Sequence, residues 1–276
     1  MSTVEDDEQE LTRKQRRDQA RAQRKEMEQA ALDAAKRRTR LIQLGIVAAV
    51  VVVAIVAIVI ATGGGSKSHG ISTNKRETNA TVSSVSSLLG GIPQSGNTLG
   101  NPNAPVTLQY FGDLQCPVCR SFTEGALGTL IQNYVRTGIL KIEFRSLETA
   151  TREQETFRTQ QVAALAAGRQ SKLWQYIELF YRQQGEEDTG YVTEAYLAGL
   201  ARQVPGLNLS AWEAARSDAS LASAVTTDAQ AANNSGFTGT PSFLIGKTGG
   251  QLHRFEEASI TDPSSFVAAI EKARKS

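Results

Sequence analysis

The longest apolar run of the chain covers residues 41–61, a stretch without a charged side chain. A helix of this length, rising 1.5 Å per residue, spans about 30 Å, the hydrocarbon thickness of a bilayer. Lys67 is the nearest charge on its C-terminal side, whereas four basic residues crowd its N-terminal side: Lys36, Arg37, Arg38 and Arg40. This pattern predicts a retained transmembrane helix with the N-terminus in the cytoplasm, in preference to a cleaved signal peptide.

The flanks of this run differ in composition. Residues 1–40 mix acidic and basic side chains and show no apolar stripe, which is typical of a charged cytoplasmic tail. Residues 62–99 are rich in Gly, Ser, Thr and Asn, and we interpret them as a flexible linker in which residues 82–89 form at most a short element. The remaining residues, 100–276, have the size of one ordinary domain.

Within this domain, short β-rich runs alternate with helical patterns. Residues 106–111 and 140–144 have the composition of strands, and a predicted helix lies between them, from Cys119 to about Arg136. Its apolar residues recur at the spacing of a helix with one buried face: Phe122, Ala126, Leu127, Leu130, Ile131 and Tyr134. This part therefore predicts a β–α–β unit with parallel strands and a right-handed connection.

The rest of the domain is helical first and β-rich afterwards. Residues from about 152 to 235 have almost no strand signal, and strands follow at 242–245 and 251–255. A last helix, at about 263–274, begins after the cap residue Asp262. The predicted order is β–α–β, helical block, β–β–α, which is an α/β class. Four aromatic residues of the helical block fit either the core, which their spacing favours, or a peptide groove: Trp174, Tyr176, Phe180 and Tyr181.

Composition narrows the possible functions. Hydrophobic residues make up 40% of the chain and the formal net charge is +2, which excludes a wholly disordered protein and gives no reason to expect nucleic-acid binding. Cys116 and Cys119 are the only cysteines, so an intrachain disulfide has to join them. So small a ring restricts the unfolded chain very little, and the pair is better explained as chemistry than as a crosslink.

The position of the pair between a strand and a helix indicates what this chemistry is. A thiol reacts as its thiolate, and a helix beginning at Pro117 places the Cys116 sulfur beside unpaired N–H groups and the positive end of the helix dipole. We therefore predict that Cys116 forms the mixed disulfide and that Cys119, one turn further and more enclosed, resolves it. Two alternatives are a zinc site, for which the sequence has no second ligand pair, and a pair of inert buried thiols.

Two motifs connect the sequence with a known family. Residues 111–119 (FGDLQCPVC) and 239–243 (GTPSF) resemble those of membrane-anchored DsbA-like thiol–disulfide oxidoreductases, and the likeness covers about residues 100–275. The resemblance implies a thioredoxin-like fold with a helical insertion, a redox-active disulfide, no cofactor and no metal. It also implies a cis Thr240–Pro241 bond against the cysteines, where the backbone pairs with substrate and metal is kept from the thiols.

The chain departs from the family pattern at two positions. Val118 replaces the histidine found between the cysteines of the strongly oxidising members, so one group that stabilises the Cys116 thiolate is missing. Tyr110 stands where thioredoxin and those members carry a buried acid. Asp113 is the nearest acid, and it is either a proton-transfer group for Cys119 or a turn and cap residue before the helix.

Together these features predict a single-pass membrane protein that introduces disulfides into exported proteins from an extracytoplasmic domain. Its expected partners are exported chains with free thiols, a separate membrane or small-molecule reoxidant, and the bilayer through residues 41–61. A reductase or isomerase on the same scaffold is the alternative within thiol chemistry. A tethered binding module without activity is the alternative outside it.

Overall fold

The computed structural model describes residues 74–275. The charged tail, the transmembrane helix predicted for residues 41–61 and the first part of the predicted linker lie outside the described residues. Within 74–275, no helix combines the length and the apolar character that crossing a bilayer requires.

A six-stranded mixed sheet forms the centre of the described part. Its strands are β1 (Gln94–Ser95), β2 (Thr98–Leu99), β3 (Val106–Gly112), β4 (Leu140–Ser146), β5 (Ser242–Lys247) and β6 (His253–Phe255). They lie in the spatial order β1-β2-β4-β3-β5-β6. Strands β3 and β4 are parallel, as predicted, and the other neighbouring pairs are antiparallel. Strand β3 is buried along almost its whole length, as is usual for the middle of a covered sheet.

The linker prediction is wrong for the part of residues 62–99 that the structure describes. Helix α1 (Lys75–Leu89) buries Val85 and Leu89 and packs against the helix at Leu173–Arg182, while β1 and β2 extend the sheet. The Arg136 guanidinium donates to two carbonyl oxygens at the end of α1, each at 2.8 Å. In this Ser- and Thr-rich segment only a few apolar residues mark the helix. The helix is stable because the rest of the domain covers these residues. The folded domain therefore starts well before residue 100.

The connection from β3 to β4 is helical, as predicted, but it is not one straight helix. Helix α2 (Pro117–Glu124) ends at Gly125, α3 covers Ala126–Leu130, and a π-helical turn at Ile131–Val135 completes the connection. A Cβ added at Gly125 would lie 2.8 Å from both the Ser121 carbonyl oxygen and the Thr261 Cα. Glycine is needed here because the loop containing Thr261 packs directly on the helix that carries the cysteines.

Five helices fill the stretch between β4 and β5: α4 (Gln154–Gly168), α5 (Leu173–Arg182), α6 (Glu194–Gln203), α7 (Leu209–Ala215) and α8 (Ala219–Asn234). The aromatic residues that the sequence left open between core and groove are all fully buried: Trp174, Tyr176, Phe180 and Tyr181. They belong to the core, and the Tyr176 hydroxyl also donates to the Leu197 carbonyl at 3.1 Å, which ties α5 to α6.

The C-terminal part follows the predicted β–β–α order. Strand β5 pairs with β3 on one side and β6 on the other, and α9 (Ser264–Lys275) ends the described chain. The Asp262 carboxylate accepts the Ser264 N–H at 2.9 Å, which is the predicted cap. The α/β class with its order β–α–β, helical insertion, β–β–α is confirmed, and it brings the ends of β3, α2 and β5 to one place.

Candidate active site

Cys116 caps the N-terminal end of helix α2. Its sulfur accepts a hydrogen bond from the Cys119 N–H at 3.4 Å, and its carbonyl oxygen accepts one from the Arg120 N–H at 3.1 Å. Pro117 occupies the first helical turn, where its missing N–H leaves no bond unmade. The local geometry that the sequence predicted around Cys116 is present.

The surroundings of Cys116 lower its pKa from 9.0 to about 6. The largest cause is the hydrogen bond with the Cys119 side chain; burial acts in the opposite direction, and the Thr240 side chain and the N–H groups of Cys119 and Val118 lower the pKa further. The sequence argument named main-chain groups alone, whereas the structure assigns the largest share to a side chain. At neutral pH Cys116 is mostly thiolate, the form that attacks and leaves in exchange reactions.

Cys119 has the opposite environment. Its side chain is fully buried, and both cysteines are free thiols in this structure. Burial raises the pKa of Cys119 well above its ordinary value, and the hydrogen bond with Cys116 and the charge of Cys116 raise it further, whereas the Tyr110 side chain lowers it. Cys119 therefore keeps its proton while Cys116 is ionised.

The Thr240–Pro241 peptide lies against the cysteine pair. The bond is cis, as the resemblance implied, and the Cys116 Sγ is 3.3 Å from the Thr240 carbonyl oxygen. The Thr240 hydroxyl forms a hydrogen bond with the hydroxyl of Thr149, in the loop after β4. The pairing of β5 with β3 puts Ser242 opposite Phe111, which is how two segments far apart in sequence meet at one sulfur.

Asp113 is fully buried directly after β3. One carboxylate oxygen accepts the three consecutive N–H groups of residues 149–151 at 2.9 to 3.1 Å. The other oxygen accepts the Thr151 hydroxyl at 2.7 Å, the Gln115 N–H at 3.0 Å and the Gln160 amide at 3.1 Å. These donors hold the loop that carries Thr149, and this arrangement favours the structural alternative for Asp113 over proton transfer.

Two further neighbours of the cysteines escaped the sequence analysis. The buried Gln184 amide donates to the carbonyl oxygens of Leu114 at 2.7 Å and Cys116 at 3.1 Å, so it fixes the turn that enters α2. Thr149 supports Thr240 as described above. Both residues lie in loops or at helix ends without a recognisable motif, so no sequence signal marked them. Val118, between the cysteines, is 46% exposed.

The arrangement suits electron-pair exchange between sulfurs better than metal binding. An ionised thiol and a protonated thiol lie one helical turn apart beside the Thr240 carbonyl oxygen. Within residues 74–275 no three His, Cys, Asp or Glu side chains are grouped so that they could hold a metal ion together.

Comparison with known proteins agrees with this chemistry. A thioredoxin family model matches residues 94–261, more than half of the chain. The probable disulfide bond formation protein D of Bacillus anthracis is 22% identical over 155 residues, which is 54% of this chain and 68% of that protein. The Na(+)/H(+) antiporter NhaA 1 of Salinispora arenicola is 27% identical over 176 residues, but these are only 25% of the antiporter.

A solved structure shows the same fold. Oxidised BdbD from Bacillus subtilis has a TM-score of 0.56 at 20% identity, over 67% of this chain and 97% of that chain. The segment matched by the thioredoxin family model, residues 94–261, contains both cysteines and the Thr240–Pro241 peptide. The chain belongs to the thioredoxin family, in which it is a DsbA-like thiol–disulfide oxidoreductase.

Proposed function

We propose that this chain forms disulfide bonds in exported proteins, outside the cytoplasm and tethered to the membrane, with Cys116 and Cys119 as its catalytic residues. The observation that carries the proposal is the Cys116 sulfur at the start of α2, where it accepts the Cys119 N–H at 3.4 Å and its pKa is lowered to about 6. A thiol that ionises this readily is a good leaving group, and it stabilises the reduced protein. A stabilised reduced form makes the corresponding disulfide a stronger oxidant.

The reaction runs in two exchange steps. A substrate thiolate attacks the Cys116 sulfur of the enzyme disulfide, the Cys116–Cys119 bond breaks, and its electron pair stays on Cys119, which then takes up a proton because its pKa is raised. A second substrate thiolate attacks the substrate sulfur of the mixed disulfide and displaces Cys116 as a thiolate. The substrate loses two electrons, the enzyme gains them, and a separate membrane or small-molecule oxidant restores the enzyme disulfide.

The loop at Thr240 and Pro241 is the proposed binding edge for the substrate. Its backbone lies within 3.3 Å of the attacked sulfur, so a chain that pairs with this edge has its own cysteine beside Cys116. The Val118 side chain, between the two cysteines, is exposed and offers an apolar contact to a bound chain.

Membrane attachment is proposed from the sequence. Residues 41–61 have the length and apolar character of a spanning helix, and the basic residues before it favour an N-terminus in the cytoplasm. This orientation exports the cysteine pair to a compartment where disulfides form and persist.

A reductase on the same scaffold is a second candidate because of one observation. The Val118 side chain, between the cysteines, has no group that donates to the Cys116 thiolate, and this lowers the oxidising power relative to a family member with histidine there. The known span of potentials, from about −270 mV in thioredoxin to about −120 mV in DsbA, corresponds to roughly 7 kcal/mol. A few hydrogen bonds around one sulfur are enough to cover this range.

The equilibrium constant with glutathione decides between the two directions. The purified chain is equilibrated in buffers of varied glutathione and glutathione disulfide, and the reduced fraction is counted after acid quenching and alkylation. We expect a potential well above about −200 mV, towards that of DsbA. A value close to that of thioredoxin overturns the assignment as an oxidase and supports the reductase.

Trapping of partners tests the catalytic assignment in the native membrane. The variant Cys119→Ala cannot resolve mixed disulfides, so we expect exported proteins linked through Cys116, and the variant Cys116→Ala/Cys119→Ala is the matched control. A membrane-impermeant thiol reagent applied to intact cells reports the side of the membrane on which Cys116 lies. Absence of any linked partner contradicts the proposal and favours a binding module.

A further inference from the structure

Two buried tyrosines lie on the core side of the cysteine pair. Tyr110 on β3 and Tyr181 at the end of α5 are fully buried, and their hydroxyl oxygens are 3.0 Å apart. The Tyr110 side chain acts on the Cys119 sulfur and lowers the pKa of Cys119, and the Tyr181 hydroxyl donates to the Asp113 carbonyl oxygen at 3.3 Å. A continuous row of polar groups therefore runs from the Cys119 sulfur to the main chain after β3.

The walls around this row are aromatic. The Tyr110 ring contacts the rings of Phe122, Phe144 and Phe243, with centroids 5.0, 5.4 and 5.7 Å away. Gly112 lies two residues further on the same side of the strand, and a Cβ there would lie 3.0 Å from the Tyr110 hydroxyl oxygen. Glycine makes room for this hydroxyl end, in a place that is otherwise apolar and where each polar group needs its partner.

A hydroxyl serves both protonation states of the neighbouring sulfur. In the mixed disulfide Cys116 is bonded to the substrate sulfur and no longer accepts the Cys119 proton. Once Cys119 is protonated, its S–H can then donate to Tyr110, while Tyr110 donates to Tyr181 and Tyr181 donates to the Asp113 carbonyl. When Cys119 carries a negative charge, each O–H can turn about its C–O bond, so that Tyr181 donates to Tyr110 and Tyr110 donates to the sulfur. The row reverses its direction without breaking its contacts to the sulfur, since a hydroxyl both donates and accepts.

We propose that Tyr110 is a third catalytic residue, whose hydroxyl donates a hydrogen bond to the Cys119 thiolate at the moment when the disulfide opens, and that Tyr181 is the positioning residue that allows the hydroxyl to turn. The inference rests on the exchange chemistry proposed above. Tyr110 would thus have a role at the position where thioredoxin carries a buried acid.

The electron and proton balance is complete without ionisation of either tyrosine. The Cys116–Cys119 bond breaks, the new bond joins Cys116 to the substrate sulfur, and Cys119 receives the electron pair. Burial raises the pKa of Tyr110 well above its ordinary value, so the phenol keeps its proton and acts as a donor. The proton that Cys119 finally holds comes from solvent, where the substrate thiols release theirs.

The titratable groups that act on Cys119 come from three elements. Cys116 lies on the same helix, Tyr110 on β3 and Tyr181 on α5. The Asp113 carboxylate, directly after β3, raises the pKa of Tyr181, and the Asp113 main chain lowers the pKa of Cys119. Removal of the Tyr110 hydroxyl therefore takes away a neutral donor and leaves the charges around Cys119 unchanged.

Substitution of Tyr110 by phenylalanine tests the proposal in the full-length chain in detergent. In the oxidised protein we measure the rate of reduction by glutathione across pH, and in a Cys116→Ala background the pKa of Cys119 from the pH dependence of alkylation. For Tyr110→Phe we expect the pKa of Cys119 to rise by about one unit and disulfide opening to slow about tenfold, because a hydrogen bond to a charged group contributes at least that much.

The matched control is Tyr176→Phe, which removes another fully buried tyrosine hydroxyl from α5, one that donates to the Leu197 carbonyl. It is expected to lower stability without moving the pKa of Cys119 or the opening rate. If Tyr110→Phe folds and gives the same pKa and rate profile as this control, the proposal is wrong. If Tyr110→Phe does not fold, Tyr181→Phe decides: a slowing of about threefold supports the reversible row, and no change overturns it.

Failure of the proposed function and failure of the role of Tyr110 give different results in this experiment. Glutathione replaces the protein substrate, so the measurement does not depend on the membrane, the exported partners or the direction of electron flow. A wild-type protein that fails to react with glutathione contradicts the proposed function. A wild-type protein that reacts while Tyr110→Phe behaves identically contradicts the role of Tyr110 alone.

Discussion

The region around Cys116 and the region around Cys119 differ in physical character although the sulfurs are one helical turn apart. Cys116 meets N–H groups at the start of α2 and the Thr240–Pro241 edge. Cys119 is fully buried, with the hydroxyl of Tyr110 as its polar neighbour among aromatic rings. The first region lowers a thiol pKa to about 6 and the second raises one. The protein thus separates the two acidities by placing one sulfur at a polar rim and the other in the core.

This difference shows that the two regions are coupled. The largest cause of the low pKa of Cys116 is the hydrogen bond from Cys119, and the charge of Cys116 in turn raises the pKa of Cys119. The proton shared by the two sulfurs therefore resides on Cys119. A change in either region is therefore expected to alter the pKa of both sulfurs. The following variants test this difference between the regions, in decreasing order of their expected effect.

The largest effect is expected from Asp113→Ala, which removes the anchor of the polar rim. Three N–H groups of residues 149–151 and three side-chain or main-chain donors lose their acceptor. Unfolding in urea should show a loss of about 3 to 5 kcal/mol, because buried donors are left without a partner. Asp188→Asn is the control in a neighbouring loop: asparagine tolerates the φ of 58° there, and the ion pair that is lost, with the exposed Arg152, contributes less than about 1 kcal/mol. Equal losses in both variants would contradict the assigned role of Asp113.

The coupling between the sulfurs is tested by two substitutions of Cys119. Cys119→Ala removes the side-chain donor to the Cys116 thiolate, whereas Cys119→Ser keeps a donor of similar size. We expect the pKa of Cys116 to rise by about one to two units in the first variant and to stay near the wild-type value in the second. The pH dependence of alkylation measures both. An unchanged pKa in Cys119→Ala would show that the main-chain groups at the helix start are sufficient by themselves.

The pH dependence of stability follows from the lowered pKa of Cys116. Between about pH 6 and pH 9 the folded protein holds Cys116 as thiolate while the unfolded chain still binds the proton. The free energy of unfolding of the reduced protein should therefore rise with pH in this window, by at most about 1.4 kcal/mol per pH unit, and this contribution is lost as pH falls through about 6.

Cys116→Ser is the reference for this measurement. Glu178, whose pKa burial raises to about 7, contributes with the opposite sign, since its folded form keeps a proton that the unfolded chain has lost. This contribution is the same in both proteins and cancels in their difference. A difference without pH dependence between about pH 6 and pH 9 would contradict a low pKa for Cys116.

The smallest effect is expected from Val118→His at the rim. A protonated imidazole near the Cys116 thiolate favours the reduced form, so the redox potential should become more oxidising. Position 118 is 46% exposed, and solvent screening limits the gain to less than about 1 kcal/mol, or roughly 20 mV. The glutathione equilibrium measures it, and a shift in the opposite direction would mean that the side chain points away from the sulfur.

The predictable parts of the fold are those with a local pattern. A β-rich composition identified β3, β4 and β5, the 3.6-residue spacing of apolar residues identified the helix after the cysteines, and Asp262 before a proline identified the last cap. Helix α1 was missed because only Val85 and Leu89 of its 15 residues are buried, too sparse a stripe in a Ser- and Thr-rich segment. Strands β1 and β2 have two residues each. Such short strands have no periodicity of their own and are defined by pairing, β2 with β4 and β1 with β2.

The sequence alone established that the cysteine pair lies at the start of helix α2. A proline after Cys116 and a strand before it are local features, and they place the first sulfur at a helix start whatever the rest of the chain does. The difference in acidity between the two sulfurs needed the tertiary structure as well. The groups of Val118 and Cys119 that act on Cys116 are local, but the burial of both sulfurs and the contributions of Thr240 and Tyr110 arise only from the packing of β3, α2 and β5.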